Sequence, residues 1–182
     1  MHKTNRGTGM KKGTFIILAI VCFFACSDSR YKSAENVAEL TISFIDQNWD
    51  GKDVPTSGQC KGCAGKGLSP ALLVKNIPKN TDVLIVEFVD KTMNIFHGSI
   101  RVQVSGKAEI AIPSFQDQTF NLPQGVETES EHTAPIGGAG AYFAPCGCGF
   151  RNKYVATIVA IKNEDSGQKS LLGKGKIILG RF

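Results

Sequence analysis

The sequence predicts a mainly β protein, an antiparallel β-sandwich with few short helices. Short apolar runs rich in β-branched residues recur along the chain, and turn-forming residues separate them. Beyond the first 25 residues, only a short stretch around 33–40 is predicted to be helical. Several short strands divided by turns are typical of a sandwich or a barrel.

Each predicted strand has its own pattern. Leu40–Phe44 alternates apolar and polar side chains, which is the period of a half-buried strand. Val83–Val89 is apolar almost throughout and predicts a buried strand. Residues 100–104 alternate again, and the turn signal at Ser105–Lys107 predicts a hairpin with residues 108–112. Further strands are predicted at Tyr154–Ile161 and Lys176–Leu179. The stretch 113–140 is predicted to be a long irregular loop.

The first 25 residues have the pattern of an export signal. Lys11 and Lys12 precede the apolar run Thr14–Ala25, which is shorter than the roughly 20 residues that span a bilayer. Cys26 then follows Ala25 as in a bacterial lipobox, which implies cleavage before Cys26 and a lipid on its sulfur. A plain secretory signal and an uncleaved anchor are the alternatives. The predicted organisation is a signal peptide at 1–25, a lipidated tether at 26–38 and a domain at 39–182.

The charge of the exported part excludes nucleic acid as a partner. The first 25 residues hold four of the 21 basic residues and none of the 16 acidic ones, so 17 basic and 16 acidic residues remain and no basic run is left. The partners that the sequence predicts are a membrane, through the lipid, and a small ligand; it identifies no protein partner. Ser27 rather than Asp follows Cys26, which favours the outer membrane of a Gram-negative cell envelope.

Four cysteines of the predicted domain form two close pairs, Cys60 with Cys63 and Cys146 with Cys148. Structural disulfides are favoured because exported thiols oxidise, and four cysteines allow three pairings. A Cys₄ zinc site is the alternative. A redox pair is disfavoured because redox CxxC motifs begin a helix, and glycines surround this one.

Two polar residues are candidates for a binding site. Asp90 closes one predicted strand and His97 opens the next, so the carboxylate could orient the imidazole and raise its pKa. Such a pair could hold an anionic or carbonyl group, whereas a turn-capping Asp and a surface His are the alternative. We find no catalytic triad order, nucleophile elbow or phosphate-binding glycine motif, so no enzyme, resident metal or other cofactor is predicted.

Several short motifs follow one another in an order that resembles the phosphatidylethanolamine-binding protein (PEBP) family, in its bacterial Raf-kinase-inhibitor-like branch. The similarity runs from about residue 39 to 182. The motifs are Asp50–Pro55, Cys63–Leu72, Ile77–Thr81, the strand closed by Asp90, Phe96–Gly98, Tyr142–Cys146, Arg151–Tyr154 and Gly175–Gly180.

The resemblance implies a β-sandwich with a small pocket for phosphate-like anions, lined at the matching positions Asp90, His97 and Tyr142. Four departures accompany it. The family's GPCPP loop becomes Ala144-Pro-Cys-Gly-Cys148, which loses a proline and gains a thiol. The family's DPDAP motif is reduced to Asp90-Lys91-Thr92, Asn152 stands where the family has a second pocket histidine, and the segment 162–170 is too short for the family's helix. The predicted ligand site is therefore Asp90, His97, Tyr142 and Asn152, in a non-enzymatic binding protein.

Overall fold

Two β-sheets pack face to face in this protein, as a computed structural model that describes residues 30–182 shows. The predicted signal peptide and the predicted lipidation site at Cys26 lie outside the described residues. The strands are β1 (Lys32–Glu39), β2 (Thr41–Phe44), β3 (Leu72–Lys75), β4 (Val83–Asp90), β5 (Ile95–Gln103), β6 (Glu109–Ile112), β7 (Val126–Ser130), β8 (Lys153–Asn163) and β9 (Lys169–Arg181). The helices found in this range are two 3-10 turns, at Thr56–Gly58 and Lys61–Cys63, and neither is long and apolar enough to cross a membrane. The predicted mainly β fold is confirmed.

The centre of the larger sheet is β4. This sheet has the strand order β1-β9-β8-β4-β5-β7, and the smaller one has the order β2-β3-β6. Leu84, Val86 and Phe88 face the core between the sheets, whereas Val83 and Ile85 belong to a second apolar cluster. Because β4 buries side chains on both faces of the sheet, one face in each apolar cluster, its sequence is continuously apolar instead of alternating.

The folded part begins earlier than the predicted boundary at residue 39. Lys32–Glu39 was predicted to be tether and short helix, but it forms β1, which pairs in parallel with β9. Only two of its eight residues are even half-buried, so the sequence carries no apolar alternation that would indicate a strand. The hydrogen bonds offered by the edge of the long strand β9 determine its conformation instead.

The predicted hairpin after β5 is also wrong, although its turn forms. Ser105 and Gly106 both have positive φ, at 50° and 75°, and the Lys107 amide donates to the Val104 carbonyl. The following strand, β6, pairs with β3 in the smaller sheet and not with β5. The free side of β5 is taken by β7, which lies inside the segment predicted to be an irregular loop.

Two disulfides join the loop that follows β2 to the segment that precedes β8. Cys60 bonds to Cys146 and Cys63 to Cys148, across 86 and 85 residues, with Cα–Cα distances of 5.1 and 5.5 Å. The favoured sequence interpretation, structural disulfides, is therefore confirmed, and of the three pairings that the sequence left open the structure has one that connects the two loops. The Cys60 amide also donates to the Pro145 carbonyl at 2.9 Å, so the two segments are fixed side by side.

We predict that the two disulfides contribute far from additively to stability. Closing a loop of this length contributes about 4–5 kcal/mol in the chain-entropy model. Once one bond is formed, the second closes a loop of only a few residues. Replacing Cys63 and Cys148 by Ala should therefore cost about 2 kcal/mol, and replacing all four cysteines about 6–7 kcal/mol. Guanidinium unfolding of both variants measures this.

The matched control replaces Cys60 and Cys146 by Ala and leaves the other bond intact. It should also retain most of the loop-closure stabilisation, apart from the packing lost at Cys60, which is 1% exposed. If either double variant loses as much stability as the variant without any disulfide, the shared-loop argument is wrong.

Candidate binding site

A cavity of about 530 Å³ opens where β4 ends and where β5 and β8 begin. Residues of the segments 134–136 and 143–150 also line it. The structure brings three of the four predicted ligand residues, Asp90, His97 and Asn152, together on its wall. The other lining residues are Met93, Ile95, Ala134, Pro135, Ile136, Phe143, Cys146, Gly147, Phe150 and Tyr154.

His97 is held by the main chain of Phe143 in two ways. The Phe143 amide donates to the His97 carbonyl at 2.9 Å, and His97 Nδ1 lies 2.7 Å from the Phe143 carbonyl oxygen. Because a carbonyl oxygen only accepts, Nδ1 carries the proton, and in the neutral ring Nε2 is an acceptor. Within residues 30–182, Nε2 has no hydrogen-bond partner, so it is the ring atom left for a ligand.

Burial makes this imidazole neutral. His97 is 4% exposed, and desolvation lowers its pKa below the usual 6.5, although the Phe143 carbonyl and the Asp90 charge act in the opposite direction. The predicted effect of Asp90, which raises this pKa, is present, but the net shift of the pKa is downward. The carboxylate does favour the charged ring, but removal of the ring from water outweighs it.

Gly98 allows the Phe143 segment to approach His97 this closely. Its φ is +97°, and a Cβ at this position would collide with the carbonyl oxygen of Ala141. A side chain here would therefore separate the start of β5 from the segment 141–143 and break both bonds between His97 and Phe143.

Asp90 is occupied by its own turn and by Asn152. Oδ1 accepts from the amides of Thr92 and Met93 at 2.8 and 3.0 Å, and Oδ2 accepts from Asn152 Nδ2 at 2.7 Å. The Asp90 carboxylate therefore does not orient the imidazole of His97, as the sequence had suggested. The Phe143 carbonyl orients the ring instead. Asn152 is positioned in turn by Phe182, since their main chains exchange hydrogen bonds of 2.8 and 3.1 Å.

Tyr154 is a cavity residue that sequence reasoning did not select. Its ring lies 5.4 Å from the ring of His97, and its hydroxyl accepts from the Cys146 amide at 3.2 Å. Burial and the nearby Asp90 carboxylate raise the pKa of Tyr154 to about 12, so the hydroxyl stays protonated. The signal was available, because Tyr154 ends the motif Arg151–Tyr154 that carries part of the family resemblance.

Tyr142 is placed in the core and not on the cavity wall. It is 1% exposed and packs edge-on against Phe88 and Phe115, at ring distances of 4.7 and 5.7 Å. Burial raises the pKa of its hydroxyl, which has no hydrogen-bond partner within the described range. The next residue but one in the same segment, Ala144, is also buried, so this stretch serves as a packed support for the cavity.

The four sulfur atoms of the disulfides lie within 4.8 Å of one another, as a metal site would require. They are bonded in pairs, however, so none of them is a thiolate, and a metal ligand must be a thiolate. Cys146 also lines the cavity, so one disulfide forms part of its wall.

Fold and site together define the class to which the structure belongs, a two-sheet protein with the PEBP fold. The chain is similar to a solved phosphatidylethanolamine-binding protein homologue from Chlamydia trachomatis, with 14% sequence identity and a TM-score of 0.51. The match covers 79% of this chain and 97% of the Chlamydia protein. It is also similar to Escherichia coli YbcL, described as a member of the mammalian PEBP family, with 15% identity, a TM-score of 0.53, and coverage of 80% and 98%. No protein-family model and no curated protein sequence matches. The structural likeness shows that the fold is that of the PEBP family, as the sequence resemblance implies.

We predict that Asn152→Ala destabilises the protein by about 2 kcal/mol. The substitution removes a hydrogen bond to a buried carboxylate, and bonds to charged groups contribute about 1.5–3 kcal/mol. Asn163→Ala is the matched control, since Asn163 is exposed at the far end of β8, the strand that Asn152 precedes, and should change stability by less than about 0.5 kcal/mol. Equal unfolding midpoints for the two variants would contradict the proposed support of Asp90 by Asn152.

Proposed function

We propose that this protein is a PEBP-like binding protein, held at a bacterial membrane by a lipid on Cys26, that takes a small ligand into the cavity above His97. The observation that carries the proposal is one pre-formed cavity into which a buried, fixed imidazole presents a free acceptor atom. Its volume lies in the range of about 300–1,000 Å³ that is usual for small-molecule sites. Anchoring in the outer membrane rests on the sequence pattern around Cys26.

The composition of the wall supports binding without catalysis. A hydrolase needs an activated nucleophile, and the described lining residues include no Ser, Thr or Lys. The cysteine in the wall, Cys146, is tied up in a disulfide, and both oxygens of Asp90 already accept hydrogen bonds. These residues can orient a ligand, but none of them is free to attack one.

An anionic ligand, which the family resemblance implies, would require a protonated His97. Neutral His97 offers an anion only the lone pair of Nε2, and two acceptors repel one another. Because the pKa of His97 is lowered below 6.5, anion binding should be coupled to uptake of a proton.

We predict that acetate binds more tightly as the pH falls from neutral to below 6.5. At pH values above the pKa of His97 in the unliganded protein, the affinity for acetate should rise about tenfold for each unit by which the pH is lowered. The reason is that one proton is bound with each anion. NMR titration of the His97 ring signals measures this, and His97→Ala is the control in which the response must disappear. An affinity that does not depend on pH would rule out the coupled mechanism.

Protonation of His97 also changes the stability of the folded protein over the same pH range. Below 6.5, the unfolded chain binds a proton at this histidine that the folded chain does not yet bind. Stability therefore decreases as the pH falls from 6.5 toward the lowered pKa, and ligand binding must be measured where the spectrum is still that of the folded protein.

A metal-binding lipoprotein is the second candidate function, favoured by the clustering of the four sulfur atoms. An intact mass without reductant separates the two functions. Two disulfides make the protein about 4 Da lighter than its reduced form, because each bond removes two hydrogen atoms. We expect this mass and no bound zinc by elemental analysis; a fully reduced mass with one equivalent of zinc would establish the metal site.

A further inference from the structure

We propose that the cavity binds an apolar molecule that ends in a hydrogen-bond donor, an amine or a hydroxyl, and that it discriminates against anions. The inference rests on the proposed function and adds the chemistry of the ligand. The observations that carry it are the free acceptor at His97, the absence of cations from the described wall, and a mouth built from exposed apolar side chains.

The head group is selected at His97. Nδ1 is committed to the Phe143 carbonyl at 2.7 Å, so the neutral ring can only accept at Nε2. Rotation of the ring cannot exchange these roles without breaking the bond to Phe143. A ligand amine or hydroxyl supplies the missing donor, whereas a carboxylate or phosphate oxygen does not.

The charges of the wall act in the same direction. Asp90 is the single formally charged residue among the described residues that line the cavity, and no Lys or Arg joins it. The carboxylate is 2% exposed, and Asn152 and two turn amides use its oxygens, but none of these partners carries a positive charge. Its field therefore favours a cationic head group over a neutral one, and a neutral one over an anion.

Lys61 lines a separate, smaller cavity of about 270 Å³. The two cavities share the side chains of Ile136, Phe143 and Cys146 as a common wall. An anion paired with Lys61 would consequently lie in the second cavity, which His97 does not line.

The apolar part of the ligand is accommodated at the mouth. Met93, Ile136 and Phe150 are 61%, 56% and 86% exposed, and all three line this one cavity. Large apolar side chains are costly to leave in water, and several of them at the rim of one concave site are typical of a place where an apolar ligand covers them. The inner wall continues with Ile95 and Phe143, so an apolar body can extend from the rim to His97.

Three probes with the same six-carbon chain test the proposal: hexylamine, hexanol and hexanoate, each titrated near neutral pH. Binding is counted when the Nε2 signal of His97 shifts in ring-nitrogen NMR, which locates the ligand in this cavity. We expect hexylamine and hexanol to shift Nε2 and to bind at least about tenfold more tightly than hexanoate. Hexanoate binding at His97 as tightly as hexylamine would overturn the proposed selectivity while leaving ligand binding established.

Two exposed phenylalanines give a matched pair of variants for the apolar part. Phe150→Ala should weaken binding of both hexylamine and hexanol about tenfold, because Phe150 covers the chain. Phe120→Ala should leave binding unchanged, since Phe120 is 55% exposed but does not line the cavity. Equal effects of the two variants would overturn the assignment of the mouth. If none of the three probes shifts His97, both the ligand class and the proposed function fail.

Discussion

The contact between His97 and the main chain of Phe143 is the constraint on which the site depends. One bond runs from the Phe143 amide to the His97 carbonyl and the other from the imidazole to the Phe143 carbonyl, so neither partner can shift alone. The pair fixes the tautomer of the ring, and burial fixes its charge. What the cavity can bind therefore follows from a main-chain carbonyl, a group that the identity of residue 143 does not specify.

The rest of the wall is organised around this contact. Gly98 allows the approach, and the buried rings of Tyr142, Phe88 and Phe115 support the segment from the other side. Asn152 donates a hydrogen bond to the Asp90 carboxylate. A charged histidine at position 152, where the PEBP family has one, would have added a positive charge to the wall. With Asn152 there, the carboxylate is stabilised only by hydrogen bonds from uncharged groups, so the wall keeps its negative charge.

Several parts of the fold could be predicted from the sequence, and the reasons differ between elements. The centre of the larger sheet was predictable because Val83–Val89 is buried in two apolar clusters and leaves a continuous apolar run. β1 was not, since it is mostly exposed and its conformation depends on pairing with β9. The turn at Ser105–Gly106 was predictable from local backbone chemistry, but the choice of β3 as the partner of β6 is made by the packing of two sheets.

Some residues of the candidate site could also be predicted from the sequence, and others could not. Asp90, His97 and Asn152 converge because they stand at the ends of neighbouring strands, and a strand end is a property that sequence can show. Tyr142 was assigned to the pocket from the family resemblance, and an irregular segment offers no alternation that would have placed it in the core. The same irregularity hid Phe143 as the partner of His97. The direction of a hydrogen bond to a main-chain carbonyl has no sequence signature.

The disulfides give this irregular segment the order that it cannot obtain from a sheet. The main chain from Tyr142 to Cys148 lies outside the strands, yet it carries the carbonyl that orients His97. Two cross-links to the same facing loop are redundant as loop closures, because the first already removes most of the chain entropy. They are not redundant as a constraint on orientation, since one bond still permits rotation about itself and two bonds prevent it. Whichever disulfide is counted as the second, its main effect is to fix the orientation of the cavity wall, because most of the loop-closure free energy comes from the first.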